Sequence, residues 1–145
     1  MSTKSVQALP FESCAVGDKL PPLERLIDLT TLVRYAGASG DYNPIHHDEA
    51  YARAAGLDGV IGHGMLAMGL ASEAVSDWVG DSGLVSSISV RFASPSRLGD
   101  RLTVSGEVVE RAETEGRVSL RVALTCTNQE GAEILRDATA TLRSR

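Results

Sequence analysis

From Gly83 onward the chain stops reading as helix and reads as strand, and this change of period limits the fold more than any other feature. Ile88, Val90 and Phe92 alternate with polar neighbours. Leu102, Val104, Gly106 and Val108 repeat the pattern, as do Val118, Leu120, Val122 and Leu124, and Ile134, Ala138, Ala140 and Leu142 follow more loosely. A period of two turns one face of each strand to a core and the other to solvent. Short polar connections at 113–116 and 128–131 predict antiparallel hairpins, and Pro95 with Gly99 and Asp100 predicts a turn. A sheet with one apolar face needs a cover. Residues 63–79 carry Met65, Leu66, Met68, Leu70, Ala71, Ala74, Val75 and Trp78 on more than one helical face, the pattern of a helix enclosed in an interior. Gly64, Ala67 and Gly69 would let other backbone approach it closely. A fifth strand is expected near the N-terminus, after the turn signal at Gly17-Asp18, where Pro21-Pro22 exclude a helix. The fold class expected is α+β: a five-stranded antiparallel sheet packed on one long helix.

Shorter elements fill the stretch between. Residues 1–12 are polar and mixed and read as a poorly ordered lead-in. Thr30 is suited to cap a helix over 31 to about 38, with Leu32, Val33 and Ala36 at helical spacing. Gly37, Ser39 and Gly40 break it. Asp48 is suited to cap a second short helix that Gly56 ends. At 145 residues the chain is expected to form one domain, 1–145.

Charge and cysteines exclude several classes. A net charge of -5 does not suit a nucleic-acid partner, which needs a basic face. The arginines crowd into the second half, among them Arg97, Arg101 and Arg145. They read as a solvated sheet surface, or else as a patch for a phosphorylated carrier. Cys14 and Cys126 match no metal or redox spacing and are expected to be reduced. No secretory apolar segment and no apolar run near the roughly 20 residues of a membrane span is visible. The expectation is a cytoplasmic protein that binds no membrane.

The chemistry concentrates in Tyr35-Ala-Gly-Ala-Ser-Gly-Asp41-Tyr-Asn43-Pro44-Ile-His46-His47-Asp48. A carboxylate and an imidazole stand within six residues around an Asn-Pro bend. A short rigid loop can aim both at one point, which general acid–base chemistry on a water requires. By itself the pattern is also ordinary turn capping by Asp and Asn. The segment Val60-Ile61-Gly62-His63-Gly64-Met65-Leu66 changes the balance. A Gly opening a buried helix offers a bare N–H at the positive end of the helix dipole, a donor suited to a thioester oxygen gaining charge.

With those residues in view, the chain resembles the MaoC-like (R)-specific enoyl hydratases and dehydratases. Tyr35, Ser39, Gly40, Asp41, Asn43, Pro44, Ile45, His46 and Ala52 match the family's hydratase motif, with Ala38 the one soft departure. His63-Gly64-Met65-Leu66 and Val90-Arg91-Phe92 with Pro95 and Gly99-Asp100 look like the same family. The chain also looks close to the catalytic dehydratase subunit of mycobacterial type II fatty-acid synthesis. The resemblance implies a hot-dog fold, with the sheet wrapped around the helix, and a homodimer or heterodimer whose sheets join edge to edge. It implies that Asp41 and His46 hold the catalytic water, Gly64 supplies the oxyanion N–H, Ser72 supports the site and Asn43 orients the loop. The substrate implied is an acyl-CoA or acyl-carrier-protein thioester, hydrated as the trans-2-enoyl form or dehydrated as the (R)-3-hydroxyacyl form.

Other readings stay open. His63 at the helix start is read as a supporting or substrate-binding residue, and His47 as facing away from His46. A metal on His46, His47, Asp48 and His63 would not follow any standard zinc spacing, and neither metal nor cofactor is expected. A hot-dog thioesterase would need a carboxylate on the long helix, where Glu73 is the only candidate in the middle. A non-catalytic subunit stabilising an active partner would lack the Asp/His pair that this chain keeps.

Overall fold

A computed structural model describes residues 9–145, and the elements follow the order that the periodicities predict. They are β1 (Lys19–Leu26), α1 (Leu29–Ser39), α2 (Glu49–Ala54), α3 (Gly64–Val79), β2 (Gly83–Phe92), β3 (Arg101–Thr114), β4 (Arg117–Thr127) and β5 (Glu133–Ser144). A 3-10 turn, Pro44–His46, sits between α1 and α2. The strands form one antiparallel sheet in the order β1-β3-β4-β5-β2. Helix α3 touches every strand, both edges included. Five flat strands span about 19 Å from first to last, whereas a helix with its side chains is about 10 Å across. The sheet therefore curls around α3, which is the hot-dog arrangement.

The curl has visible causes. Gly106 of β3 lies between Leu20 of β1 and Leu124 of β4 in register. A Cβ there would come within 2.9 Å of both leucine side chains, so the missing side chain lets the inner surface bend and pack. Leu102, Val104, Val108, Leu120, Val122 and Leu142 point inward and are buried, as the alternation predicts. From α3, residues 66, 67, 70, 71, 74, 75, 78 and 79 are buried, one continuous helical face. The opposite face is open: Met65 is 54% exposed, and Gly69, Ser76 and Asp77 face solvent. The helix is thus covered on one side rather than enclosed, because the sheet alone cannot close around it.

Two details differ from the expectations. Helix α1 starts earlier, with Asp28 as its cap: the Thr31 N–H donates to Asp28 Oδ1 at 2.7 Å. A carboxylate two residues upstream of Thr30 satisfies the free amide, and Thr31, through its side chain first and its N–H second, holds Asp28 below the usual carboxylate range. Of the supposed lead-in, residues 9–12 are docked. Leu9 and Phe11 are buried, and the Leu9 N–H donates to the Trp78 carbonyl at the end of α3. Residues 1–8 lie outside the described part.

Gly40 ends α1 in the left-handed region at φ 75°, which glycine adopts without strain, and its N–H closes on Ala36. Asp48 caps α2 through the Tyr51 N–H, as expected. Both cysteines are unpaired and buried, and burial pushes their thiols up to about 11, so neither is a thiolate at neutral pH. Among the described residues no helix is long and apolar enough to cross a membrane.

Candidate active site

The loop after α1 is built from short side-chain-to-backbone bonds. Ser39 Oγ accepts from the Asp41 N–H, Asp41 Oδ1 from the Asn43 N–H, and Asn43 Oδ1 from the Ile45 N–H, each at 3.2 Å. Small polar residues with local acceptors favour this tight path over further helix. Pro44 then opens the 3-10 turn that carries His46 inward. His46 is buried while the Asp41 side chain stays 51% exposed, with Asp41 Oδ2 3.6 Å from His46 Nε2. That separation is too long for a direct hydrogen bond. A water about 2.8 Å from each atom fits between them as a bridge.

The partner of the second ring nitrogen decides the tautomer. His46 Nδ1 lies 2.8 Å from the Ile61 carbonyl, which can only accept, so Nδ1 carries the proton. In the neutral ring Nε2 is then the bare nitrogen and turns toward Asp41. Behind it stands His63, stacked on His46 with ring centroids 3.7 Å apart and planes 22° apart. His63 Nε2 donates to the Asp41 main-chain carbonyl at 3.1 Å, and Tyr35 meets the ring edge-on. Burial holds His63 below its ordinary value of 6.5, and the nearby His46 adds to this, so the ring stays neutral.

Asp41, His46 and His63 bring ligand-type atoms within 4.8 Å of one another. Each imidazole already gives one nitrogen to a carbonyl. Two rings stacked nearly parallel also cannot turn their in-plane lone pairs onto one ion. The space between Asp41 Oδ2 and His46 Nε2 is instead of a size for one water.

Gly64 begins α3 directly after His63, and among the described residues its N–H takes no hydrogen bond. It opens onto a groove of about 300 Å³ lined by His46, Gly62, Phe92, Ser96 and Ile134. A ligand lying there would have an imidazole and a helix-opening residue on its walls. Asn43 shapes the loop through its side chain. Ser72 lies two turns further along α3, with its hydroxyl donated to Met68 O at 3.0 Å, and makes no bond to the Asp–His group. Glu73, the carboxylate that thioester hydrolysis would need, accepts two bonds from Arg25 at 2.8 and 3.0 Å. His47 faces away, beside Tyr42 and Val33. The Ile61 carbonyl, Phe92 and Ser96 escape sequence reasoning: a carbonyl leaves no side-chain signal, and the other two read as ordinary strand and turn residues.

Residues 13–130 match the family described as MaoC like domain. The chain is 36% identical over 107 residues to the 3-oxo-4,17-pregnadiene-20-carboxyl-CoA hydratase beta subunit of Mycobacterium tuberculosis, covering 74% of this chain and 81% of that one. It is 31% identical over 139 residues to the 3-hydroxybutyryl-CoA dehydratase of Methylorubrum extorquens, covering 95% and 85%. Among solved structures it resembles R-hydratase PhaJ1 from Pseudomonas aeruginosa in the unliganded form, with a TM-score of 0.86, 33% identity, and 96% of this chain and 87% of that one covered. A shared fold at this coverage, carried by relatives that add or remove water, makes the chain a hydro-lyase and a member of the MaoC-like hydratase and dehydratase family.

Proposed function

We propose that the protein, as one MaoC-like domain, adds water across the C2–C3 bond of trans-2-enoyl thioesters with (R) specificity, and removes it in reverse. The observation that carries this reading is the 3.6 Å gap between Asp41 Oδ2 and a bare His46 Nε2 beside the Gly64 groove. A water in that gap gives one proton toward each acceptor and turns its lone pairs outward. Asp41 accepts a proton as the water oxygen bonds to C3. The water's other proton stays on the new hydroxyl. The proton taken by Asp41 is passed on to C2, with His46 Nε2 holding the water and taking part in that delivery, so both side chains end the cycle as they began. The Gly64 N–H stabilises the thioester oxygen while it carries enolate charge, and Asn43 keeps the loop in shape. Ser72 is assigned to the supporting network only, since its hydroxyl is held within the helix.

The acyl group arrives on coenzyme A or on an acyl carrier protein; the CoA ester substrates named for two relatives favour the first. The active form is a homodimer, or a heterodimer, as the name "beta subunit" carried by one relative suggests. Two buried, unpaired cysteines suit the cytoplasm. The test is hydration of a short series of enoyl-CoA esters, followed at the absorbance of the conjugated thioester, against a carrier-protein substrate. Asp41→Asn and His46→Ala should each lower the rate by about 10²–10⁴-fold while the protein stays folded. Near-normal rates in either variant would overturn the reading.

A further inference from the structure

The acid–base pair and the oxyanion amide come from different segments of the chain, yet one substrate must meet both. The distance between the water and the Gly64 N–H therefore has to be held by something, and one residue joins the two sides. His63 is bonded through its own peptide to Gly64. Through Nε2–H it grips the Asp41 carbonyl at 3.1 Å, and its ring lies under His46 at 3.7 Å. We propose that His63 is a positioning residue that sets the spacing between the Asp41–His46 pair and the Gly64 amide, acting through the Asp41 main chain and the His46 ring.

Four observations support this and separate it from simple filling of space. His63 borders the groove but is 2% exposed, so the surface it can offer a ligand is small. It sits in a short segment that is tied to the catalytic loop twice more: the Ile61 N–H donates to the Ile45 carbonyl, and the Ile61 carbonyl accepts from His46 Nδ1. Its Nδ1 is buried with no partner among the described residues. A Phe would fill the same space, stack on the same ring and bury no unpaired nitrogen, so the imidazole is explained by the one thing Phe lacks, the Nε2–H donor. Finally, burial and the neighbouring His46 disfavour a charge on this ring, so the grip on Asp41 belongs to the neutral form.

The rate prediction rests on the hydratase reading; the structural one does not. His63→Phe keeps the ring and loses the donor, whereas His63→Gln loses the ring and places an amide N–H near the position of Nε2. Because a misplacement of about 1 Å can reduce turnover about 10²-fold, His63→Phe should lose about that factor in kcat with KM little changed. His63→Gln should recover most of it. Equal impairment of the two variants, wild-type kcat in His63→Phe, or a loss that falls on KM would overturn the proposal. If Phe prevents folding, His63→Met, also without a donor, replaces it. The chain has only three histidines, so ring nitrogen resonances of His46 can be followed directly. In His63→Phe the His46 ring and the Asp41 amide should shift and broaden, and in His63→Gln they should stay near wild type. If wild type turns over no enoyl thioester, the hydratase reading fails, and these resonances decide the positioning role alone: unchanged signals in His63→Phe would refute it.

Discussion

Two stacked imidazoles cannot both be positively charged at low cost, and the surroundings of His63 keep that ring neutral. His63 is enclosed by Tyr35, Asp41 and His46, with His47 near enough to act by charge alone; burial is the largest influence and favours its neutral form. A folded-state value below 6.5 means the unfolded chain binds the proton more tightly. The stabilisation from a neutral His63 is therefore complete above the ordinary value and is lost as pH falls below it. Melting temperatures measured from about pH 8 down to about pH 5 should fall toward the acid end, and the slope should flatten in His63→Gln. An equal slope in the variant would place the acid sensitivity elsewhere. The sequence made Asp41 and His46 visible because they share one loop. The stacking of His46 on His63 was not visible, since it joins residues 17 positions apart through a contact that no spacing rule describes.

At the scale of elements, the strands were legible because each is buried on one face, and period two survives in the residue types. The start of α1 was not, since Asp28 and Thr30 are both competent caps and only the chain path chooses between them. Nor was the one-sided burial of α3, whose exposed Met65 looks like a core residue in a sequence. The segment before α3 depends on a close approach. The Gly62 N–H donates to Ser96 O at 2.8 Å, and a Cβ at Gly62 would collide with Ser96 Oγ while clearing Ser96 Cβ at 3.4 Å. Gly62→Ala should destabilise the fold by about 1–3 kcal/mol, as overpacking does, and reduce hydration by displacing Ile61 and His63. Combining it with Ser96→Ala removes the colliding oxygen and should restore most of both losses. Strict additivity in denaturant titrations of the double-mutant cycle would show that the two residues do not meet.

Taken whole, the molecule is one curled sheet around one helix, held at its far end by a segment that composition presents as a tail. Leu9 and Phe11 escaped the sequence reading because two apolar residues among polar ones carry no period. Phe11 lies against Gly83, where a Cβ would come within 2.6 Å of its ring. Truncating it to Ala should cost about 3–5 kcal/mol and lower the melting temperature by roughly 10 °C; a negligible change would mean that the segment does not pack there in solution. The two margins of the sheet are unlike. β1 carries Pro21 and Pro22 at a break in register between Leu20 and Leu23, so donors are missing from its outer rim. β2 has ten residues and no proline, so its outer rim keeps its amide donors, although its pairing with β5 shifts register between Val85 and Ser87 and between Ser89 and Arg91; it ends at Phe92 beside the groove. A second sheet would find the more complete row of donors along β2. Two copies joined there would present only proline-blunted borders to a third, so growth by strand addition would end at a pair.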